Sequence, residues 1–306
     1  MDDYIPVRLK TIRPDSQIHF DLYIKIGEKF VHYVRNNDSI EKPRMDNLKS
    51  KKVRKLFIPY DQEDNYLSYL DNGLDQLSNA NISIEQKAEL THDTLVTAAE
   101  NAEKTFETEK GFQQTQDRFE KITDFLMSDS GAIKKIMEAA GTSLDNHQHA
   151  ATTSSLALGL ATATGLLSAN EMFELGIAAL VHDIGKNDLP FDPMTPSSEL
   201  SGENLKLYRA HAQKGADMLA GKPFISPRIL GMIADHEEIG NGLGFPNKKN
   251  LAKLKLPYQI LNLCNNFDQY CFLQKLDHKA GLPAFKMERG EMFDEELYNL
   301  LAAMLN

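Results

Sequence analysis

The chain has 306 residues, of which 42% are hydrophobic and 25% are charged, and its formal net charge is −10. This composition is typical of a globular protein that can bury a core without disulfides, and it excludes a long disordered or fibrous chain. The length favours two ordinary domains over a single large one.

The charge is unevenly distributed. Residues 1–60 carry a net charge of +5, whereas the remainder of the chain carries −15. The acidic majority argues against binding of long nucleic acid along the main body. A small phosphorylated ligand stays compatible with it, because a bound metal ion can invert the local electrostatics.

The sequence contains no apolar run long enough to cross a membrane and no basic start followed by an apolar segment. Its two cysteines are Cys264 and Cys271. On a helix these residues would lie about 10 Å apart along the axis, too far for a disulfide. These features predict a reducing, cytoplasmic setting without membrane attachment.

The first 60 residues have the pattern of β-strands. Apolar residues alternate with mostly polar ones over 20–26, Gly27 marks a turn, and 30–34 and 53–59 are predicted as further strands. The cationic run 49–55 is interpreted as a solvated helix or turn, with a phosphate or partner site as the minor alternative.

Helical spacing begins near residue 61 and continues to the C-terminus. The predicted helices include 112–125, 150–167, 171–181, 201–220, 229–237 and 256–274. Residues 128–131 form a helix-breaking cluster, at which we place the domain boundary. The predicted fold class is α+β: an N-terminal α+β domain over 1–130 that ends in linker helices, and an all-α domain over 131–306.

Histidines followed by carboxylates suggest a metal site. His182-Asp183 closes an apolar helix, and a buried imidazole beside a buried carboxylate is costly unless the two groups are paired or bind metal. His211 and His236 follow on later helices. Imidazole and carboxylate donors suit zinc, iron, manganese or nickel. A second pair, His92-Asp93, lacks this context and is interpreted as a surface or helix-start pair.

The ordered series of motifs resembles the HD-GYP subfamily of HD-domain phosphohydrolases. The resemblance covers roughly residues 145–275 and rests on four segments. They are His182-Asp183-Ile184-Gly185-Lys186, His211 with Gly215, His236-Glu237-Glu238, and Gly242-Leu243-Gly244-Phe245-Pro246. It implies an all-helical domain with two metal ions, iron or else manganese, that hydrolyses cyclic di-GMP through a metal-activated hydroxide.

The resemblance also implies residue roles. Metal ligands would be His149, His182, Asp183, His211, His236, Glu237 and Asn265. Asp183 and Lys186 would be catalytic, and Lys186, Gly244, Phe245 and Lys275 would bind substrate. His147 competes with His149, because residues two apart on a helix do not share a face. Asp268 competes with Asn265.

The chain departs from the subfamily pattern at several of these positions. Glu237 replaces a histidine, Asn265 replaces an aspartate, and Phe245 replaces the tyrosine of the Gly-Tyr-Pro motif. Lys275 is the nearest cation to an expected arginine-rich stretch. These departures leave two functional hypotheses. The chain is a cyclic di-GMP phosphodiesterase, or it is a catalytically weak or inactive sensor or interaction protein that binds this nucleotide or, through residues 1–130, a protein partner. An HD phosphohydrolase acting on another nucleotide is a third interpretation.

Overall fold

The computed structural model of the chain describes residues 4–142 and 145–306. Contacts within the chain group the described residues into two compact units, 4–97 and 98–306. Residues 98–130, which the sequence analysis assigns to the N-terminal domain as linker helices, are grouped with the second unit. No helix in the described part is both long and apolar enough to span a membrane.

The first unit contains a four-stranded antiparallel sheet with strand order β1-β4-β2-β3. The strands are β1 (Tyr4–Arg8), β2 (Leu22–Ile26), β3 (Lys29–Val34) and β4 (Lys55–Pro59). A tight turn joins β2 to β3, and Gly27 has the positive φ of +59° that this turn requires. The three predicted strands are confirmed, whereas β1 was not predicted.

Helices cover one face of this sheet. They are α1 (Lys42–Ser50) and α2 (Glu63–Leu74), and α3 (Ile84–Glu100) follows in the chain. The apolar core between sheet and helices includes Phe20 and Leu22 from the sheet side, Met45 from α1, and Tyr66 and Leu70 from α2. The alternation that predicts β2 therefore reflects burial of one sheet face at Phe20 and Leu22, whereas Ile26 at the end of the strand is 62% exposed.

The position of His92 and Asp93 differs from the sequence interpretation. Both residues lie within α3 rather than at its start, and both are buried, at 4% and 6% exposure. Burial raises the pKa of Asp93 to about 7, although the cations of Lys10 and Arg8 partly oppose this effect. A polar pair without an apolar run before it can therefore still be buried.

All the extended regular elements of the second unit are helices in its described residues. Its helices are α4 (Ala102–Thr105), α5 (Glu109–Ser128), α6 (Ala132–Ala140), α7 (Asn146–Thr164), α8 (Ala169–Val181), α9 (Gly202–Leu219), α10 (Pro227–Asp235), α11 (Leu256–Gln274), α12 (His278–Arg289) and α13 (Glu295–Leu305). The small four-stranded sheet and this helical unit confirm the predicted α+β fold class.

Helix α7 is the central helix of this unit. It packs against α5, α6, α8, α11 and α13, and its residues 149–161 are all buried. Such a helix must be apolar or small on every side, which explains its run of alanine, leucine, serine and threonine. Any polar side chain that α7 carries in this stretch is placed in the interior, and His149 is one of them.

Candidate metal centre

Helix α7 brings one histidine into the interior and leaves a neighbouring one outside. Asp145 caps the helix by accepting hydrogen bonds from the amides of His147 and Gln148, at 3.0 and 2.9 Å. His149 is 1% exposed, whereas the side chain of His147 is 38% exposed. Of the two alternatives from the sequence, the structure groups His149 with the other buried histidines.

Three other histidines share one local arrangement. His182 follows the end of α8, His211 lies in α9, and His236 follows the end of α10. In each ring Nδ1 contacts the carbonyl oxygen three residues earlier: 2.7 Å to Ala179 and 2.7 Å to Ile233, with Tyr208 as the partner of His211. Since a carbonyl only accepts, each Nδ1 carries the proton and each Nε2 of a neutral ring is a free donor atom for metal.

Asp183 lies between two histidine pairs. Its Oδ1 is 3.2 Å from His211 Nε2 and 3.4 Å from His236 Nε2. Its Oδ2 is 3.4 Å from His182 Nε2 and 3.8 Å from His149 Nε2. A carboxylate in this position can present one oxygen to each of two cations.

The residues present fit two cations. His211 Nε2 lies 3.0 Å from His236 Nε2, and His182 Nε2 lies 3.3 Å from His149 Nε2. Burial lowers the pKa of His182, and Asp183 only partly opposes this, so the neutral ring is favoured. Where two such rings are neutral, the lone pairs on Nε2 face each other at these distances, and a cation between them would stabilise the arrangement. Burial lowers the pKa of His149, but its hydrogen bond to Asp268 outweighs this effect and raises the pKa above its ordinary value. Two groups of donor atoms have this potential: His149 with His182 and Asp183, and Asp183 with His211 and His236.

Unsatisfied buried oxygens support the same conclusion. Asp183 Oδ1 and Glu237 Oε1 are buried and accept no hydrogen bond from a described residue. Glu237 Oε1 is 3.8 Å from both His211 Nε2 and His236 Nε2. An oxygen buried without a partner costs free energy unless it binds a cation or ordered water. The carboxylate that replaces a histidine at position 237 is thus beside the second group of donors.

Asn265 and Asp268 have different surroundings. Asn265 Oδ1 is 2.9 Å from His149 Nε2, which places its amide oxygen beside the first group of donors. Asp268 instead contacts the far side of the ring, with Oδ2 2.6 Å from His149 Nδ1 and Oδ1 2.7 Å from His278 Nε2. Of the two alternatives from the sequence, Asn265 is the one beside the donor atoms, and Asp268 orients the imidazole.

Lys186 forms a buried ion pair with Asp183, with 2.7 Å between Nζ and Oδ2. Burial by itself lowers the pKa of Lys186, but the Asp183 carboxylate outweighs this effect and raises it above its ordinary value. Lys186 Nζ also lies 5.2 Å from the centre of the Tyr208 ring. The lysine is therefore a permanent cation within the site.

The glycine of the His-Asp-Ile-Gly-Lys motif has a packing role. A Cβ atom on Gly185 would overlap the backbone oxygen of His211 and crowd the nitrogen of Gly215. The turn after Asp183 can approach α9 this closely only because residue 185 has no side chain. The motif therefore fixes the distance between the Asp183 carboxylate and the His211 ring.

The glycine-rich loop after His236 is held by Glu238. This buried carboxylate accepts hydrogen bonds from the backbone amides of Asn247, at 2.7 Å, and Lys249, at 2.8 Å. The Phe245 amide donates to the carbonyl of Glu237 at 3.2 Å, and a Cβ on Gly244 would overlap that same carbonyl. The loop is thereby fastened to the residue that carries the unsatisfied carboxylate.

A cleft of about 390 Å³ adjoins this loop. Glu237, Gly244 and Phe245 line it, as do Tyr208, Arg209, Asn266, Gln269, Leu273, Arg289 and Met292. Lys275 is exposed at the end of α11 and is not among the described residues that line the cleft. Asn266, Gln269 and Leu273 share one helical face, and Lys275 follows Leu273 by two residues, so it points elsewhere.

Sequence reasoning missed two cations and an aromatic ring of the cleft. Tyr208 precedes His211 by one helical turn, and this spacing could have indicated a shared face. Arg209 and Arg289 are cationic residues that line the cleft. Arg289 reaches the cleft from α12, and no motif in the sequence marks it.

Comparisons with known proteins agree with this geometry. A family model described as HD domain matches residues 127–296, more than half of the chain. The cyclic di-GMP phosphodiesterase PA4108 of Pseudomonas aeruginosa is 30% identical over 95 residues, covering 31% of this chain and 23% of that protein. The cyclic di-GMP phosphodiesterase response regulator RpfG of Xanthomonas campestris is 24% identical over 140 residues, covering 44% and 37%. The chain thus spans well under half of these curated relatives.

A solved structure resembles the whole chain. Bd1817, an HDG"Y"P protein from Bdellovibrio bacteriovorus, superposes with a TM-score of 0.81 at 25% identity, covering 99% of each chain. The chain therefore belongs to the HD domain family and to its HD-GYP subfamily, as a member in which phenylalanine replaces the tyrosine of the Gly-Tyr-Pro motif.

Proposed function

We propose that the chain is a metal-dependent phosphodiesterase that hydrolyses cyclic di-GMP. The observation that carries the proposal is the position of Asp183, whose two carboxylate oxygens each lie within 4 Å of two histidine Nε2 atoms. Both curated relatives are cyclic di-GMP phosphodiesterases, which supports the choice of substrate.

Two divalent ions, when bound, would supply a hydroxide nucleophile near neutral pH and Lewis acidity toward the phosphodiester. His149, His182 and Asn265 would hold one ion, and His211, His236 and Glu237 the other, with Asp183 shared. Nitrogen and oxygen donors without thiolate suit iron or manganese, and Glu237 adds negative charge relative to the histidine it replaces.

The cleft beside Glu237 would bind the nucleotide. Arg209 and Arg289 offer guanidinium groups to phosphate oxygens, and Phe245 offers aromatic surface to a guanine base. Phe245 is 6.0 Å from Tyr208 between ring centres, so the two rings form one apolar wall. Lys186, which is paired with Asp183, would add a positive charge on the buried side of the Tyr208 ring.

A second candidate is a sensor that binds the nucleotide without turnover. One observation favours it: Lys186 Nζ is engaged by Asp183 rather than exposed to the cleft, and it is 3% exposed. A lysine held in this pair is a poor partner for a substrate phosphate. The two candidates predict the same metal content and differ in hydrolysis.

Metal content per chain, measured on anaerobically purified protein together with cyclic di-GMP hydrolysis on the same sample, tests the proposal. Two ions with hydrolysis to the linear dinucleotide or GMP support it. Two ions with nucleotide binding but no hydrolysis, in iron, manganese and nickel forms alike, favour the sensor. Protein that binds no metal contradicts both candidates.

Glu237→Ala provides the internal comparison. We expect this variant to lose one ion and hydrolysis together, because its carboxylate oxygen lies beside His211 and His236. Glu203→Ala, on the exposed face of α9, is the matched control and should retain both.

A further inference from the structure

A second cleft, of about 380 Å³, lies entirely within the first unit. Its walls come from the segment 13–19 and from residues 65–76 of α2 and the turn that follows. None of the ten residues that line it is acidic, although acidic residues outnumber basic ones in the chain by 44 to 34. The side chains that line it are amides, hydroxyls, one imidazole and one guanidinium.

The guanidinium of Arg13 is the charged group of this cleft. The Arg13 backbone amide donates to the Tyr69 hydroxyl at 2.9 Å, which fixes the residue at the wall. Within residues 4–142 and 145–306, no carboxylate or carbonyl accepts a hydrogen bond from its guanidinium. The guanidinium rests in a notch at Gly73, since a Cβ atom there would overlap Arg13 Nη2. An unpaired, half-buried cation in a cleft is a recognition element for an anion.

Neighbouring side chains have hydrogen atoms left to donate. The Tyr69 oxygen accepts from Arg13, so its own O–H is available. Gln76 Oε1 accepts from Asn79 Nδ2 at 3.0 Å, so the Gln76 amide hydrogens are available. Donors and one cation therefore converge without an opposing carboxylate.

We propose that this cleft binds a small polar molecule that carries an oxyanion group, carboxylate or phosphate. Arg13 pairs with the oxyanion in a bidentate manner, and Tyr69 and Gln76 donate to the remaining oxygens. The volume lies in the range of small-ligand sites. The inference does not depend on the proposed phosphodiesterase activity, because it concerns residues of the first unit alone.

Isothermal titration of the full chain with inorganic phosphate, ribose 5-phosphate and malate tests the site. We expect saturable binding of at least one probe, weakened about tenfold or more in Arg13→Gln by loss of the charge-assisted hydrogen bonds. Arg35→Gln, which alters an exposed arginine of the same unit, should bind as the wild type does. A response to phosphate and ribose 5-phosphate but not malate assigns a phosphoryl ligand, and the reverse assigns a carboxylate.

Gly73→Ala is the second variant, because its methyl group displaces the guanidinium while keeping the charge. It should weaken the same probe and keep the helical circular dichroism of the wild type. Equal affinity in wild type and Arg13→Gln overturns the proposal, as does the absence of saturable binding of all three probes up to about 10 mM. If Arg13→Gln fails to fold, unchanged affinity in Gly73→Ala overturns it.

Discussion

Asp268 and His149 are joined by a hydrogen bond of 2.6 Å between Oδ2 and Nδ1, across 119 residues of sequence. Burial alone would raise the pKa of Asp268, but the hydrogen bonds from His149 and His278 outweigh it and hold the pKa well below its usual range. The carboxylate is therefore charged at working pH. It keeps the proton of His149 on Nδ1 and turns Nε2 toward Asn265 and Asp183.

Asp268→Asn should weaken metal binding at the His149 side of the centre. The variant removes the charge that orients the ring, and such changes typically cost about 10- to 100-fold in metal affinity. Competition with a chelator, followed by elemental analysis, measures the effect. Asp217→Asn, on the exposed face of α9, should leave metal content unchanged. Identical chelator resistance in Asp268→Asn and wild type would show that Asp268 does not orient the ring.

Asp183→Ala should lose both ions, because both groups of donor atoms share this carboxylate. His147→Ala is the matched control, since its side chain lies outside the cluster. Metal content per chain is the measurement, on protein checked for native helical content. Wild-type metal content in Asp183→Ala would refute the idea of a shared carboxylate.

Glu238→Gln should loosen the glycine-rich loop. The glutamine amide can accept from only one of the amides of Asn247 and Lys249 and turns an NH₂ group toward the other. A buried donor left unsatisfied costs about 1–3 kcal/mol of stability. Hydrogen exchange at the amides of 247 and 249 should accelerate, while exchange in α7 stays slow. Unchanged protection of both amides would mean that Glu238 does not hold the loop.

Asp93 should make stability depend on pH. Its pKa is about 7 in the folded chain against 3.8 as the ordinary value, so the folded state retains a proton that the unfolded state releases. This contribution is fully present below about 3.8 and is lost as pH rises through about 7. The difference corresponds to roughly 4 kcal/mol for a fully buried group.

Asp93→Asn removes this ionisation. Denaturant unfolding at several pH values between about 5 and 8 should show the variant gaining stability relative to wild type as pH rises. Other groups that titrate in this range cancel in the comparison of the two proteins. Parallel curves for variant and wild type would contradict a raised pKa at Asp93.

The helices around the metal centre were predictable because motif and periodicity coincide there. His182-Asp183 ends an apolar helix. Residues two apart on a helix do not share a face, so His147 and His149 cannot both point into the interior, but the sequence does not show which one is buried. Which histidine is buried depends on how α7 packs against its neighbouring helices, and the sequence of α7 alone does not determine that packing. The buried position of Asp93 and the arrival of Arg289 at the cleft likewise follow from tertiary packing. Strand β1 was missed because five residues that contain a proline carry a weak strand signal.

Gly185 has a consequence for how this centre can change in evolution. The space that its missing side chain leaves sets the gap between the segment carrying His182 and Asp183 and the helix carrying His211. A larger residue at position 185 would move His182 and Asp183 together away from His211. The spacing therefore cannot be adjusted for one ion alone. Under the proposed function, metal preference would be altered by exchanging donor residues rather than by changing this spacing, and positions 237 and 265, which differ from the subfamily pattern, are where such an exchange would act.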